Sequence, residues 1–580
     1  MQKREPSDRR LIVVAAVIFL CLAAVAGKLI VIQGIEAGRY KKLAAQQRDS
    51  TIKITPRRGT IFDREGEILA ISEDVTSVYA TPYLVKNKKD AAAKIAGVLG
   101  TDEAEIQSKL DEHSGFVYIA RQIENPVADK VKKLKLDGIG FIEESKRYYP
   151  LGSLCSQILG LVDVDNKGQA GIEMYYENLL GGKPGEIQLE KDAAGNAIPG
   201  SEKNRKASVD GVDLQLTIDK DIQAQAEESL AKGVDTYGAK AGTAIVLDCN
   251  TGDVLAMASS PTFDPNKREH IDPASMRNRA ITDVYEPGSA LKIVTASGAL
   301  EQGVVTPQTV IPIPSELKVA DKVFKDAEVK PYRQLTFTQV IGESSNVGTI
   351  QVGQRLGSQR LAGYMDRMGL GHKTGVDFPG EVAGIVPALS AWSGTSIATI
   401  SIGQGISVTP LQLTCAMGSI ANGGRKIIPH FLKAKVTDKG VQDMGLGGLG
   451  EQVLSKAVCQ QMTAILENVV APGNTGIKAA VNYYRVAGKT GTAAKPAKGG
   501  GGYTKTYMGT FVGFAPAEKP RLVCMVVLDE PTPIFGGETS APVFKEIMGF
   551  SLQHLKIPPS WTGQPANGGQ QNAGDSKIND

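Results

Sequence analysis

The sequence predicts an α/β (α+β) protein with an N-terminal transmembrane helix, an elongated mixed domain, and a larger domain in which helices flank a central antiparallel sheet. Three observations predict it. An uncharged apolar run, Leu11 to Gly27, opens the chain. Short helical patterns broken by glycines occupy residues 86–200. Beyond residue 240, two groups of strand-like runs enclose a largely helical stretch, an order that packs stably as helices on a sheet.

Taken in order, the apolar run continues past Lys28 through Leu29 to Ile32, enough for one helix to cross a bilayer. Lys3, Arg4, Arg9 and Arg10 precede it, which predicts a cytoplasmic N-terminus and an exported remainder. A cleaved signal ending at Ala24-Val25-Ala26 is the alternative, but the run is long for a signal and passes that site. Cys21 follows the bulky Leu20 and is no lipobox cysteine.

Glu36 to Gln47 reads as a polar helix. RGTIFDREG, from Arg58 to Gly66, reads as a charged strand and turn in which Asp63 can pair with a neighbouring arginine, followed by an alternating strand from Ile68 to Tyr79. Ala91 to Leu99 and Val127 to Leu134 are helical patterns. Arg147-Tyr148-Tyr149-Pro150 and Gly171-Ile172-Glu173 are read as architectural, because no second reactive group lies near them in sequence. The polar stretch GSEKNRKASVDG, Gly200 to Gly211, marks a domain boundary.

Leu214 to Ile218 then reads as a strand and Ile222 to Ala231 as a helix. Thr243 to Asp248 and Val254 to Ala258 flank Asn250-Thr251-Gly252-Asp253, a hairpin signal. Arg485 to Ala487, Thr510 to Phe514 and Arg521 to Leu528 supply three later strands. Lys498 to Tyr503, with its four consecutive glycines, is expected to be a mobile loop, and Pro558 to Asp580 a disordered tail.

Composition narrows the function. With 580 residues, 42% of them hydrophobic, the chain can build two or more real cores, so disorder is excluded for most of it. A net charge of +3 with scattered basic residues gives no support to nucleic-acid binding. Outside the membrane run, Cys155, Cys249, Cys415, Cys459 and Cys524 stand singly, which argues for buried free thiols over a disulfide framework or a zinc site.

The chemistry centres on YEPGSALK, Tyr285 to Lys292. Pro287 and Gly288 stop a helix entering from upstream, and Leu291 to Leu300 is nearly all apolar up to Gly303, so Ser289 falls in the first turn of a buried helix. Lys292 lies one turn on, on the same face, where its amine reaches the serine hydroxyl. Unpaired N–H groups at the helix start favour a developing alkoxide or oxyanion.

The spacing alone is weak, since Ser50/Lys53 and Ser315/Lys318 share it. Ser344-Ser345-Asn346 and Lys489-Thr490-Gly491-Thr492 strengthen it, because their order matches that of serine acyl-transferases that recognise penicillin. The five histidines include no H-E-x-x-H, and Ser289 is not in a G-x-S-x-G turn, which leaves lysine as the base. Lys292 can serve only if burial and a second cation, for which Lys489 is the candidate, lower its pKa. A second K-T-G, Lys373-Thr374-Gly375, sits in a glycine-rich turn and is read as a loop. Gly488-Lys489-Thr490 is no phosphate loop, because Tyr483 stands where that motif needs glycine.

YEPGSALK, SSN and KTGT in this order, with Ser401-Ile402-Gly403-Gln404-Gly405 and RGTIFDREG, closely resemble the class B penicillin-binding proteins from about Arg58 to Met548. The resemblance implies a D,D-transpeptidase that cross-links peptidoglycan, with no cofactor and no metal. By motif position, Ser289 attacks the D-Ala-D-Ala carbonyl, Lys292 takes its proton, Ser344 relays a proton to the leaving D-alanine, and Asn346 binds the substrate amide. Lys489, Thr490, Gly491 and Thr492 form the side that receives the terminal carboxylate. The N–H groups of Ser289 and Thr492 form the oxyanion hole. An amine of a second stem peptide then resolves the acyl-enzyme.

The same resemblance sets the domains as a cytoplasmic tail (1–10), a transmembrane anchor (11–33), a pedestal of the dimerisation type (34–210), a transpeptidase domain (211–556) and a tail (557–580). It implies binding to stem peptides and β-lactam antibiotics, one helix in the inner membrane, and an extracytoplasmic catalytic domain. A membrane glycosyltransferase and other division-complex proteins are the expected partners. GIGFIEESKRYYPLGS followed by KDAAGNAIPG is more similar to the cell-division branch than to the elongation branch. One departure is Ala290-Leu291 inside S-x-x-K, where relatives frequently carry threonine and an aromatic residue.

Elongation-type and sporulation-type class B transpeptidases remain alternatives. A β-lactamase would be compact and would deacylate quickly with water; the additional domain and anchor argue against it. An antibiotic sensor would need a cytoplasmic effector domain, and a scaffold without catalysis would not need the intact motifs.

Overall fold

The computed structural model describes residues 6–190, 204–269, 271–438, 440–497, 499 and 502–561. The expectations for Lys3 and Arg4, KDAAGNAIPG, Lys498 and the tail from residue 562 lie outside these residues. Two compact units are present, one of residues 1–57, 74–145 and 182–211, the other of 58–73, 146–181 and 212–580. The chain therefore passes between them more than once, the last time between Gly211 and Val212.

In the first unit, a helix from Pro6 to Ile30 runs into a π turn, Val31–Ile35, and is followed by a polar helix, Ala37–Arg48. Arg10–Ile35 is long and apolar enough to cross a membrane, and none of it is buried. Strands Asp49–Ile54, Gly185–Glu190 and Asn204–Lys206 form a small antiparallel sheet. Helices Lys88–Leu99 and Glu103–Asp111 start at Asn87 and Asp102, whose side chains accept the first orphan N–H groups. Their apolar faces meet at Ile95, Ile106 and Leu110 with Ile119 of the strand Val117–Ile123.

The second unit is built on a five-stranded sheet. After α1 (Lys220–Thr236), β1 (Ala241–Asp248) and β2 (Val254–Ser260) form the expected hairpin. Next come α2 (Lys292–Glu301), α3 (Asn346–Leu356) and α4 (Pro410–Ala421), then β3 (Ala487–Pro496), β4 (Tyr503–Ala515), β5 (Leu522–Asp529) and α5 (Gly536–His554). The order across the sheet is β2-β1-β5-β4-β3, all antiparallel, with β3 at one edge.

Both faces of this sheet are covered, so its strands read as continuous apolar runs. Ala244, Val246, Cys524 and Val526 face a core shared with Leu230 of α1 and Phe544 and Ile547 of α5. Ile245, Leu247, Val523 and Met525, their alternates, face a core shared with α2 and α4. Each large apolar side chain buried here contributes about 1.5–3 kcal/mol.

Two local expectations change. The strand expected at Arg485–Ala487 instead begins at Ala487, because pairing with β4 carries it through Gly488 and Gly491, residues of low strand propensity. Asp63 pairs with no arginine among the described residues; its Oδ1 accepts the backbone N–H groups of Glu65 and Glu67 at 2.8 Å each and so holds the turn.

The first arginine of RGTIFDREG is used elsewhere. Arg58 Nε donates to Glu173 Oε2 at 2.6 Å, and Arg147 Nε donates to the other oxygen at 2.6 Å. The residues singled out around Arg147 and Glu173 thus form one buried ion-pair cluster, with all three side chains at most 2% exposed.

Candidate active site

Pro287 and positive-φ Gly288 (53°) turn the chain into a 3-10 turn, Gly288–Leu291, ahead of α2. Ser289 therefore lies in a tight turn just before the α-helix and not in its first α-turn, and it is partly exposed. Lys292 is the first residue of α2 and is fully buried.

The turn is pinned from two sides. Gly288 N–H donates to Gly403 O at 3.0 Å, and a Cβ on Gly403 would stand 2.0 Å from Gly288 O. Gly403 also has φ 81°, so only glycine fits there without strain. On the other side a Cβ on Gly491 of β3 would lie 3.1 Å from Pro287 O. Gly403→Ala is expected to slow acylation of the serine about 100-fold, the cost of roughly an ångström of misplacement. Stopped-flow acylation of a chromogenic substrate measures it, and an unchanged rate would show that the contact does not position the turn.

Ser344, Ser345 and Asn346 occupy the junction between the helix Phe337–Gly342 and α3. Ser345 caps α3, accepting the Gly348 N–H at 3.0 Å, which orients the neighbouring residues. Ser344 has φ 58°, an uncommon conformation for a residue with a side chain.

Two lysines converge on Ser344. Lys292 Nζ donates to Ser344 O at 2.6 Å, Asn346 Oδ1 at 2.9 Å and Ser344 Oγ at 3.3 Å. Lys489 Nζ, from β3, donates to Ser344 Oγ at 2.9 Å and to Thr490 O at 3.1 Å. Thr490 Oγ1 in turn donates to Thr475 Oγ1 at 3.0 Å. Thr492 Oγ1 accepts the Gly536 N–H at 3.3 Å. Helix start, turn and edge strand are thus brought into one cluster.

Its electrostatics follow from burial. Desolvation lowers the Lys292 pKa to about 7, against a smaller opposing pull from Asp326. Desolvation also drives the Lys489 pKa down, and the neighbouring Lys292 adds to it. Because the two amines share Ser344 Oγ as an acceptor, charging both at once is costly, and near neutral pH one of them can be an unprotonated base.

Asp326 carried no signal in the sequence. Ser345 Oγ lies 3.0 and 2.9 Å from its two oxygens, and Val347 N–H donates to it at 3.0 Å. It therefore holds the Ser344–Asn346 turn while sitting near enough to favour protonated Lys292. Nothing local in Lys325-Asp326-Ala327 reveals this, because the partner residues come about twenty positions later.

The other candidates stay apart. Ser315 and Lys318 are exposed, and Lys373 is exposed in a turn closed by Glu381, which accepts the Thr374 N–H at 2.6 Å. The Ser50 and Lys53 side chains are outside the described residues.

Comparison with known proteins gives consistent matches over almost the whole chain. A family described as "Penicillin binding protein transpeptidase domain" matches residues 242–549, and one described as "Penicillin-binding Protein dimerisation domain" matches residues 53–216. The probable peptidoglycan D,D-transpeptidase PenA of Neisseria gonorrhoeae is 34% identical over 551 residues, covering 94% of this chain and 92% of that protein. Peptidoglycan D,D-transpeptidase FtsI of Escherichia coli K12 is 35% identical over 552 residues, covering 93% and 91%. Among solved structures, penicillin-binding protein 3 of Mycobacterium tuberculosis, complexed with aztreonam, superimposes with a TM-score of 0.70 at 30% identity, covering 89% of this chain and 99% of that one.

Proposed function

Since this chain belongs to the class B penicillin-binding proteins and is a peptidoglycan D,D-transpeptidase, we propose that it works through an acyl-enzyme on Ser289 and serves septal wall synthesis. The observation that carries the mechanism is the convergence of Lys292 and Lys489 on Ser344 Oγ.

In the first half-reaction, neutral Lys292 takes the proton of Ser289 Oγ as that oxygen attacks the carbonyl of the penultimate D-alanine. The N–H groups of Ser289 and Thr492 hold the oxyanion. Ser344 Oγ, within reach of both amines, passes a proton to the departing D-alanine nitrogen as the peptide bond breaks. Lys489, Thr490 and Thr492 receive the terminal carboxylate, and Gly491 lets that strand approach the serine turn closely. Asn346 Oδ1 accepts from Lys292, and one Nδ2 hydrogen goes to Lys325 O at 3.1 Å, which leaves the other for the substrate amide. The amine of a second stem then attacks the ester, forms the cross-link and restores Ser289.

β-Lactams would enter by the first half-reaction and stall before the second. Mass spectrometry of the full-length protein after benzylpenicillin treatment is expected to place one adduct on the peptide containing Ser289. An adduct confined to another peptide would defeat the proposal.

The septal assignment rests on GIGFIEESKRYYPLGS and its likeness to the cell-division branch. The N-terminus is cytoplasmic, the catalytic unit extracytoplasmic, and a membrane glycosyltransferase supplies the glycan strands. Depletion in cells should give filaments; rounded cells would assign the protein to elongation.

A further inference from the structure

A small apolar core lies apart from the two large ones of this unit. It sits under a hairpin made of Leu317–Val319 and Lys322–Phe324, in which Leu317 pairs with Phe324. Val319 and Phe324 are buried on one face of the hairpin, while Lys318 and Val323 on the other face are exposed. The buried pair shares its core with Ile350 of α3, Ala398 of the helix Ser396–Ser401, and Ile402 just after that helix.

Two of these partners stand beside different halves of the active site. Ile402 precedes Gly403, whose carbonyl accepts the Gly288 N–H and so pins the serine turn. Ile350 lies one turn after Asn346 on the same face of α3, and Asn346 Oδ1 is an acceptor of Lys292. The strand that carries Phe324 runs on into Lys325, whose carbonyl accepts from Asn346 Nδ2 at 3.1 Å.

Packing, not hydrogen bonding, sets the spacing of the two halves. Among the described residues no hydrogen bond joins Ile402–Gly405 to Ser344–Asn346. The helix Ser396–Ser401 approaches α3 closely at Gly353, where a Cβ would stand 1.9 Å from Ser401 Oγ. That contact is about two turns from Asn346 and serves as a pivot. Nearer the active site, Ile350 and Ile402 share their core with Phe324, its largest side chain. We infer that Phe324 is a positioning residue for acylation, a wedge that fixes the serine turn relative to Ser344 and Asn346 and thereby relative to the amine they hold. The inference rests on the acyl-enzyme mechanism proposed above. None of the reacting groups belongs to this core, and neither do Lys489, Thr490 and Thr492 of β3, so reception of the substrate carboxylate should be spared.

The test is stopped-flow acylation of the full-length protein in detergent by a chromogenic cephalosporin, over a concentration series that separates the saturating rate from the half-saturating concentration. Rates are taken per site titrated with benzylpenicillin, so an unfolded fraction does not enter. In Phe324→Ala the saturating rate is expected to fall about tenfold, the cost of roughly half an ångström of misplacement, while the half-saturating concentration stays within about twofold of the parent. Ile402→Val trims the same core from the other side and should show the same split in milder form; it decides the matter if Phe324→Ala leaves no titratable sites. Val323→Ala, on the exposed face, should match the parent. A purely structural role would reduce the number of titratable sites and leave the rate per site unchanged. That result, or a half-saturating concentration that rises as far as the rate falls, overturns the assignment. A wild-type protein without an adduct on Ser289 would instead overturn the acyl-enzyme mechanism itself.

Discussion

Ser289→Ala is expected to leave no covalent benzylpenicillin adduct at all, while melting within a degree or two of the parent. The partly exposed hydroxyl is the only atom group lost, and the turn's shape is set by Pro287, Gly288 and Gly403, so the fold should not register the change. Lys292→Met should keep the nucleophile but remove its base, slowing acylation by roughly 10²–10⁴. The wild-type rate should also rise with pH. Lys292 must be neutral to accept a proton, so below its pKa of about 7 the rate falls tenfold per pH unit, and above it the rate levels off. Gel fluorescence with a labelled penicillin, followed over a pH series, reads all three effects. Ser315→Ala and Ser50→Ala should label normally. A pH-independent rate in the wild type, or adduct formation in folded Ser289→Ala, would remove the serine–lysine mechanism.

Much of this was legible because it was local. The β1–β2 hairpin announced itself by two apolar runs around Asn250-Thr251-Gly252-Asp253, whereas helical spacing put Ser289 in the first turn of α2 and the structure puts it in the 3-10 turn just before that helix. What sequence could not supply was anything fixed by pairing at a distance. The course of β3 depends on β4, since Gly488 and Gly491 alone argue against a strand. Asp326 and Gly403 act on the site only because the chain brings them to Ser345 and Gly288. Phe324 shares a core with Ile350 and Ile402, a packing that exists only in three dimensions. Arg58, Arg147 and Glu173 were each visible and read as architecture, and nothing in their spacing said that they meet.

That meeting carries the second large effect. Glu173→Gln is expected to lower the stability of the unit by roughly 3–5 kcal/mol, because it strips the shared counter-charge from two buried guanidinium groups. Arg58 keeps a second partner, Glu177 Oε2 at 2.7 Å, whereas among the described residues Arg147 retains only neutral acceptors such as Gly59 O at 2.8 Å, so most of the cost falls on Arg147. The unfolding midpoint should drop by roughly 5–10 °C. Acid provides an independent check. Burial alone would raise the Glu173 pKa, but Arg147 and Arg58 hold it below the usual range. A carboxyl depressed in the fold stabilises above its unfolded pKa, about 4.3, and that stability is lost as pH falls through the lower folded value. The variant, with no group to titrate, should lose that part of the acid dependence and approach the parent's stability at the acid end. Calorimetry from pH 7 downwards separates the two. Penicillin labelling at 25 °C serves as the control, since none of the cluster's hydrogen bonds reaches Ser289 or either active-site lysine. A variant that melts like the parent would make the cluster dispensable, and one that melts normally but no longer labels would tie it to catalysis and not to the fold.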